Sequence, residues 1–170
     1  IAFSENHDRW TTNYSFTPEF YQKVGSKFAG FKDGKLYVHS SNAAYNTFYD
    51  NATVQASQIK TVCNEYPDEI KIFTNQTIKG NVLWVPTAMV SDQNGQSTSL
   101  VAGDFENQEG VYYASIMCDE NSAVTAPEIP ILHGDQMKGY TLLSTLAVTS
   151  ATKCTLYSAE VGFMKSSGHR

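Results

Sequence analysis

Apolar and polar residues alternate along much of the chain, which is the pattern expected of half-buried β-strands. In residues 110–118, 139–148 and 155–163 every second residue is mostly apolar, so each segment predicts a strand with one face in a core. Segments 9–16 and 69–78 are rich in β-branched and aromatic residues, which favour strands.

Turn residues separate these segments. Asp33-Gly34 lies between two apolar stretches, 28–31 and 36–39, and predicts a hairpin with a type I′ turn, because both central residues need positive φ. Residues 91–99 predict a polar loop centred on Asn94-Gly95.

Three segments carry signals that interrupt a regular strand. Thr17-Pro18-Glu19 is typical of a helix start, but Gly25 follows so soon that only one short turn is expected. In 52–63 the apolar positions change parity midway, which predicts a bulge or bend. Pro86, inside the strand predicted over 82–90, indicates an edge strand or a break.

The sum of these elements is eight to ten antiparallel strands with no long amphipathic helix. We therefore expect an all-β fold, a β-sandwich of jelly-roll-like character. A length of 170 residues predicts a single domain over 1–170. Because the first residue is Ile1 and not Met, we expect the chain to be part of a larger protein.

Composition narrows the range of functions. Charged residues make up 17% of the chain, against about 25% in ordinary domains, and the net charge is −5. Without a basic cluster we expect no nucleic-acid groove. No apolar run approaches the roughly 20 residues of a membrane span, so we expect none. Cys63, Cys118 and Cys154 have no metal-site spacing and are expected to be buried free thiols.

The sequence offers two weak candidates for a chemical site. The first is the acidic loop 103–110, where Asp104, Glu106 and Glu109 are typical of a solvated turn, although such oxygens also bind calcium or cleave glycosidic bonds. With no nucleophile elbow, phosphate loop or metal-ligand set, we expect no enzyme activity, no cofactor and no metal.

The second candidate is a set of aromatic residues that could stack on sugars. Core packing is the alternative interpretation for all of them, and the three expected contacts are Trp10, Trp84 and Tyr112. The other members of the set are Tyr14, Tyr21, Tyr45, Tyr49 and Tyr113.

Five stretches of the chain, in a fixed order, carry a resemblance to a known family. The first is 1–40, with matching residues Phe3, Ser4, Glu5, Arg9, Trp10, Tyr14, Ser15, Pro18, Glu19, Lys27, Phe31, Gly34, Leu36, Tyr37 and His39. The others are Asn46-Thr47-Phe48-Tyr49, residues 104–114 (DFENQEGVYYA), residues 134–140 (GDQMKGY) and residues 156–165 (LYSAEVGFMK). Together they resemble tail or DNA-stabilisation proteins of crAss-like podovirus bacteriophages, one of which forms the distal tail muzzle.

The resemblance implies a non-enzymatic structural component of the virion tail, made in the bacterial host cytoplasm. It also implies that the chain is the C-terminal part of a larger phage tail protein. Its expected partners are other phage tail subunits, including copies of itself in a homo-oligomer. The alternative is a glycan-binding module at the tail tip that recognises a host surface polysaccharide. In that case Trp10, Trp84 and Tyr112 are the expected contacts.

Overall fold

The computed structural model describes residues 2–14, 16–41, 43–49 and 53–166. The chain divides into two compact units, unit 1 over residues 1–55 and unit 2 over residues 56–170. The single domain expected over 1–170 stays a prediction. Within the described residues there are fourteen strands, and every pairing between them is antiparallel.

Unit 1 contains a small hairpin and a three-stranded meander. The hairpin pairs β1 (Ala2–Ser4) with β2 (Arg9–Thr12). The meander is formed by β3 (Phe20–Val24), β4 (Lys27–Lys32) and β5 (Lys35–Val38). Asp33 and Gly34 join the last two strands with φ of 50° and 73°, so the predicted type I′ hairpin is confirmed.

Unit 2 contains two sheets. The four-stranded sheet has the order β6 (Ala56–Cys63), β13 (Leu142–Thr149), β8 (Val85–Ser91), β9 (Ser97–Thr98). In the five-stranded sheet β7 (Lys71–Gly80) is central: β14 (Leu156–Lys165) runs along one edge, and β11 (Val111–Ser115) and β12 (Lys138–Gly139) share the other. β10 (Glu106–Gln108) pairs with β11, and the short helix α1 (Pro130–His133) precedes β12.

The two sheets of unit 2 enclose a common core. Phe73 and Ala114 of the five-stranded sheet pack in one cluster with Met89 and Leu142 of the four-stranded sheet. A second cluster is built on Ile78, Trp84 and Leu146. Because side chains from both sheets fill one interior, this is a sandwich, and the predicted all-β class is confirmed. The strand count is higher than the eight to ten expected.

Two local predictions are wrong. Thr17-Pro18-Glu19 does not begin a helical turn, because the following residues pair with β4 as the strand β3. The bulge expected within 52–63 is absent from 56–63, where the register of β6 with β13 is unbroken. Residues 50–52 lie outside the described part of the chain.

Two tyrosines are exposed although they occupy the alternating positions that predicted a buried side chain in 139–148 and 155–163. The register of β14 with β7 shifts between Leu156 and Ser158, and Tyr157 is 67% exposed. Tyr140 precedes β13 and is 41% exposed. Pro86, in contrast, lies where the register of β8 with β13 shifts, so the predicted interruption is confirmed.

Candidate functional site

The structure separates the three aromatic residues predicted to contact sugars. Trp84 is buried in the second core cluster of unit 2, and Tyr112 packs against that cluster from β11. Trp10 lies in β2 of unit 1, and its side chain is outside the described atoms. Trp84 therefore presents no open ring face for stacking. A glycan role for the three residues stays a prediction.

The acidic loop is a structural turn. The Asp104 carboxylate accepts a hydrogen bond from the Val101 backbone N–H at 2.8 Å. Glu109 and Gly110, with φ of 53° and 82°, form the tight turn between β10 and β11. Among the described residues no three His, Cys, Asp or Glu side chains group as metal ligands. The loop supports the interpretation of a solvated turn.

Cysteines and histidines do not form a reactive site in the described chain. Cys63, Cys118 and Cys154 are free and half-buried, and burial raises the pKa of the Cys63 thiol. A raised pKa lowers the thiolate fraction and therefore the reactivity of this residue. His39 belongs to an aromatic cluster of unit 1, where its ring stacks on Phe16 with centroids 4.8 Å apart.

An exposed apolar row crosses the meander of unit 1. Phe20 lies opposite Phe31, which lies opposite Leu36, so the three side chains stand side by side on one face of the sheet. Their exposed fractions are 57%, 37% and 53%. We call these three residues the unit-1 row. Val24 and Val38 extend the same face and are also exposed.

A second apolar row crosses the outer face of the four-stranded sheet in unit 2. Val62 of β6, Leu143 of β13 and Val90 of β8 are directly opposite one another, and we call them the unit-2 row. Their exposed fractions are 60%, 37% and 39%. The next row along this face, Lys60, Thr145 and Ala88, is more polar.

These rows have the chemistry of contact surfaces and not of reaction centres. Adjacent exposed apolar side chains are most stable when another surface excludes water from them, whereas isolated ones need no partner. Sequence reasoning missed both rows. The unit-2 row joins residues 62, 90 and 143, and only the strand register brings these together. The signal for the unit-1 row was the predicted Asp33-Gly34 hairpin, which sets Phe31 opposite Leu36.

Comparison of the sequence with known protein families gives one match. Residues 43–119 match the sequence profile described as the Crassvirus muzzle protein C-terminal domain. This segment is similar to that family. The resemblance to a crAss-like phage muzzle protein is therefore confirmed, and the family is one of phage structural proteins. No curated protein matches the chain.

The muzzle family segment contains much of unit 2. It covers β6 to β11 and so includes Val62 and Val90 of the unit-2 row, while Leu143 lies beyond it. Helices are few in the described residues, and none of them has the length and apolar character that a bilayer crossing requires.

Proposed function

We propose that this chain is a non-enzymatic structural component of the phage tail, and that it mediates assembly contacts with other tail subunits, including copies of itself. The observation that carries the proposal is the unit-2 row. Three apolar side chains stand open to solvent on the sheet that carries half of the sandwich core.

Charge and sheet geometry support this proposal. The chain has 12 Lys and Arg against 17 Asp and Glu, and its polar character comes largely from uncharged Ser, Thr and Asn. A surface of this kind allows identical neighbours to pack closely, since neutral hydrogen bonding avoids repulsion between like charges. The rigid sheet beneath the unit-2 row fixes the positions of its side chains, which lowers the entropy lost on association.

The test measures association of the chain in solution and with purified tail subunits by sedimentation velocity. The double variant Val62→Thr/Leu143→Thr places threonine, which favours strands, at both positions and removes much of the apolar surface of the unit-2 row. We expect association to weaken about tenfold or more, which corresponds to about 1.4 kcal/mol or more. The thermal midpoint should change little, because both side chains are exposed.

The matched control is Lys60→Thr, a change of a neighbouring exposed position on the same strand and the same face of the sheet. It should leave association unchanged. Equal association of the wild type and the double variant would overturn the assignment of the assembly contact to the unit-2 row. A strictly monomeric wild type that binds no tail subunit would overturn the proposed function itself.

A further inference from the structure

A polar cleft of about 500 Å³ lies in unit 2 between the turn that joins β8 to β9 and the segment that leads into β12. Its volume is in the range of roughly 300–1,000 Å³ that small-molecule sites occupy. The polar residues of its lining are Gln93, Asn94, Gln96, Asp135, Gln136 and Lys138. The segment 134–140, one of the motifs seen in the sequence, thus supplies one wall.

The two walls of the cleft are fixed to each other by hydrogen bonds. The Gln96 side chain accepts from the Lys138 backbone N–H at 2.8 Å and donates to the Gln136 carbonyl at 3.3 Å. The Ser91 hydroxyl donates to the Lys138 carbonyl. Asp92 accepts from the backbone N–H groups of Tyr140 and Thr141 at 2.9 and 3.0 Å. The cleft is therefore preorganised.

Gly139 permits the close approach of the two walls, and Gly134 permits close packing behind the second wall. A Cβ atom on Gly139 would collide with the side-chain oxygens of Ser91 and Asp92. A Cβ atom on Gly134 would lie 2.5 Å from the Pro130 carbonyl oxygen and 2.7 Å from Ser122. The approach of the walls thus depends on Gly139, whereas Gly134 fits the segment 134–139 against Ser122 and the start of α1.

Several polar groups of the lining are not used by the fold. The side chains of Asn94, Asp135, Gln136 and Lys138 make no hydrogen bond or ion pair with other described residues. The Gln93 side-chain oxygen is buried and has no hydrogen-bond partner in that same part of the chain. A buried acceptor without a partner is costly, so a turn of the Gln93 side chain toward the cleft, where a ligand hydroxyl could donate to it, would be favoured.

The balance of these groups defines the class of ligand. Primary amides both donate and accept hydrogen bonds, as sugar hydroxyls do. The one carboxylate, Asp135, is offset by the one ammonium group, Lys138, so the lining carries no net charge. Phosphate ligands are disfavoured because they require several cations or a cluster of N–H donors. The only large apolar side chain of the lining, Ile72, offers one patch for C–H groups.

We infer that this cleft binds a neutral, polyhydroxylated ligand, a carbohydrate of one or two sugar units. The inference goes beyond the proposed assembly role and does not depend on the unit-2 row. It also differs from the predicted site at Trp10, Trp84 and Tyr112, since none of these residues lines the cleft.

The test is a titration of the isotope-labelled protein with methyl glycosides of glucose, galactose, mannose and N-acetylglucosamine and with their disaccharides. Two-dimensional NMR follows the side-chain amides of Gln93, Asn94 and Gln136. We expect saturable shifts of these signals for at least one sugar. Asp135→Ala and Gln136→Ala should each weaken that binding about tenfold, because each removes hydrogen bonds to a hydroxyl.

The matched controls are Asp68→Ala and Gln108→Ala, which change an exposed aspartate and an exposed glutamine outside the cleft. Both should bind as the wild type does, and the backbone amide signals report whether each variant is folded. No shift with any of the sugars, or shifts unaffected by the cleft variants, would overturn the inference, as would a stronger response to inorganic phosphate. The cleft variants should leave the association of the chain unchanged, so failure here is distinguishable from failure of the assembly proposal.

Discussion

Lys71 is the largest charged side chain buried in unit 2, and its environment explains why the fold tolerates it. Its side chain is 0% exposed, and Nζ donates to the carbonyls of Glu65, Tyr66 and Glu69 at 2.6, 3.0 and 3.3 Å. Three donors therefore meet three acceptors. The ammonium group ties the turn over residues 65–69 to the first residue of β7.

Replacement of this lysine by an apolar residue of similar length should destabilise unit 2. In Lys71→Met the three carbonyls lose a charged donor, and we expect the free energy of unfolding to fall by about 2 kcal/mol or more. Urea denaturation measures this change when both proteins also carry Trp10→Phe, because Trp84 is then the one tryptophan whose fluorescence is followed. Lys79→Met, at an exposed position of the same strand, should change the free energy by less than about 0.5 kcal/mol. Equal effects of the two substitutions would contradict this explanation.

We expect His39 to make the stability of unit 1 depend on pH. Its ring lies against Phe16, Phe28 and Tyr49, with centroid distances of 4.8, 5.0 and 6.0 Å, and Nε2 is buried without a hydrogen-bond partner. Burial lowers the pKa of His39 below its ordinary value of 6.5. As pH falls below 6.5, the unfolded chain binds a proton that the folded chain does not, so the folded state loses stability.

We therefore expect the thermal midpoint of unit 1 to fall as the pH is lowered from 7 to about 5, measured by near-UV circular dichroism. His39→Phe should remove the part of this dependence that comes from His39, because it retains an aromatic ring and cannot titrate. His7→Gln is the control, since His7 is exposed in the same unit, and it should keep the pH dependence of the wild type. A pH profile unchanged in His39→Phe would show that other groups cause it.

At the scale of elements, most strands were predictable from the alternation of apolar and polar residues and from the turn residues between them. The remaining strands form because they pair with a neighbouring strand. The strand β11 lies between β10 and β7. Apolar and polar residues alternate regularly around Ala114, so this strand and its buried face were predictable. Residues 20–24 were not, since Phe20-Tyr21-Gln22-Lys23-Val24 has no clean alternation and forms a strand through pairing with β4. Tertiary pairing overrode the local helix signal at Pro18.

In the candidate sites, too, features formed by adjacent residues were predictable, and features formed by residues far apart in the sequence were not. The polar turn at Asn94-Gly95 was predictable, because both residues tolerate the observed φ of 56° and 64°. The cleft was not, because its other wall lies about forty residues further along the chain. Trp84 could not be assigned to core or surface from sequence, since an aromatic residue near a strand fits either position.

At the scale of the whole chain, the apolar core is concentrated in unit 2. Among the described residues, nine of the ten buried hydrophobic side chains belong to 56–170, and unit 1 contributes only Ala29. A chain of about 60 residues or fewer buries a smaller share of its surface than a longer chain does, and it is marginally stable unless other interactions support it. The 55 residues of unit 1 should therefore be less stable than the sandwich of unit 2.

We expect the fragment 56–170 to fold when it is produced without residues 1–55, because both core clusters of the sandwich lie entirely inside it. Far-UV circular dichroism should give a β spectrum, and heating should give one cooperative transition. Its midpoint should lie within a few degrees of the higher of two transitions in the full chain, the lower one reporting unit 1.

The variant Leu146→Ala should lower the fragment's transition and the higher transition of the full chain together, since Leu146 is fully buried in the sandwich and its truncation costs roughly 2–5 kcal/mol. Two results would contradict this expectation and show that the two units fold as a single cooperative structure. One is a fragment that is unfolded, and the other is a full chain with a single transition that Leu146→Ala lowers as a whole.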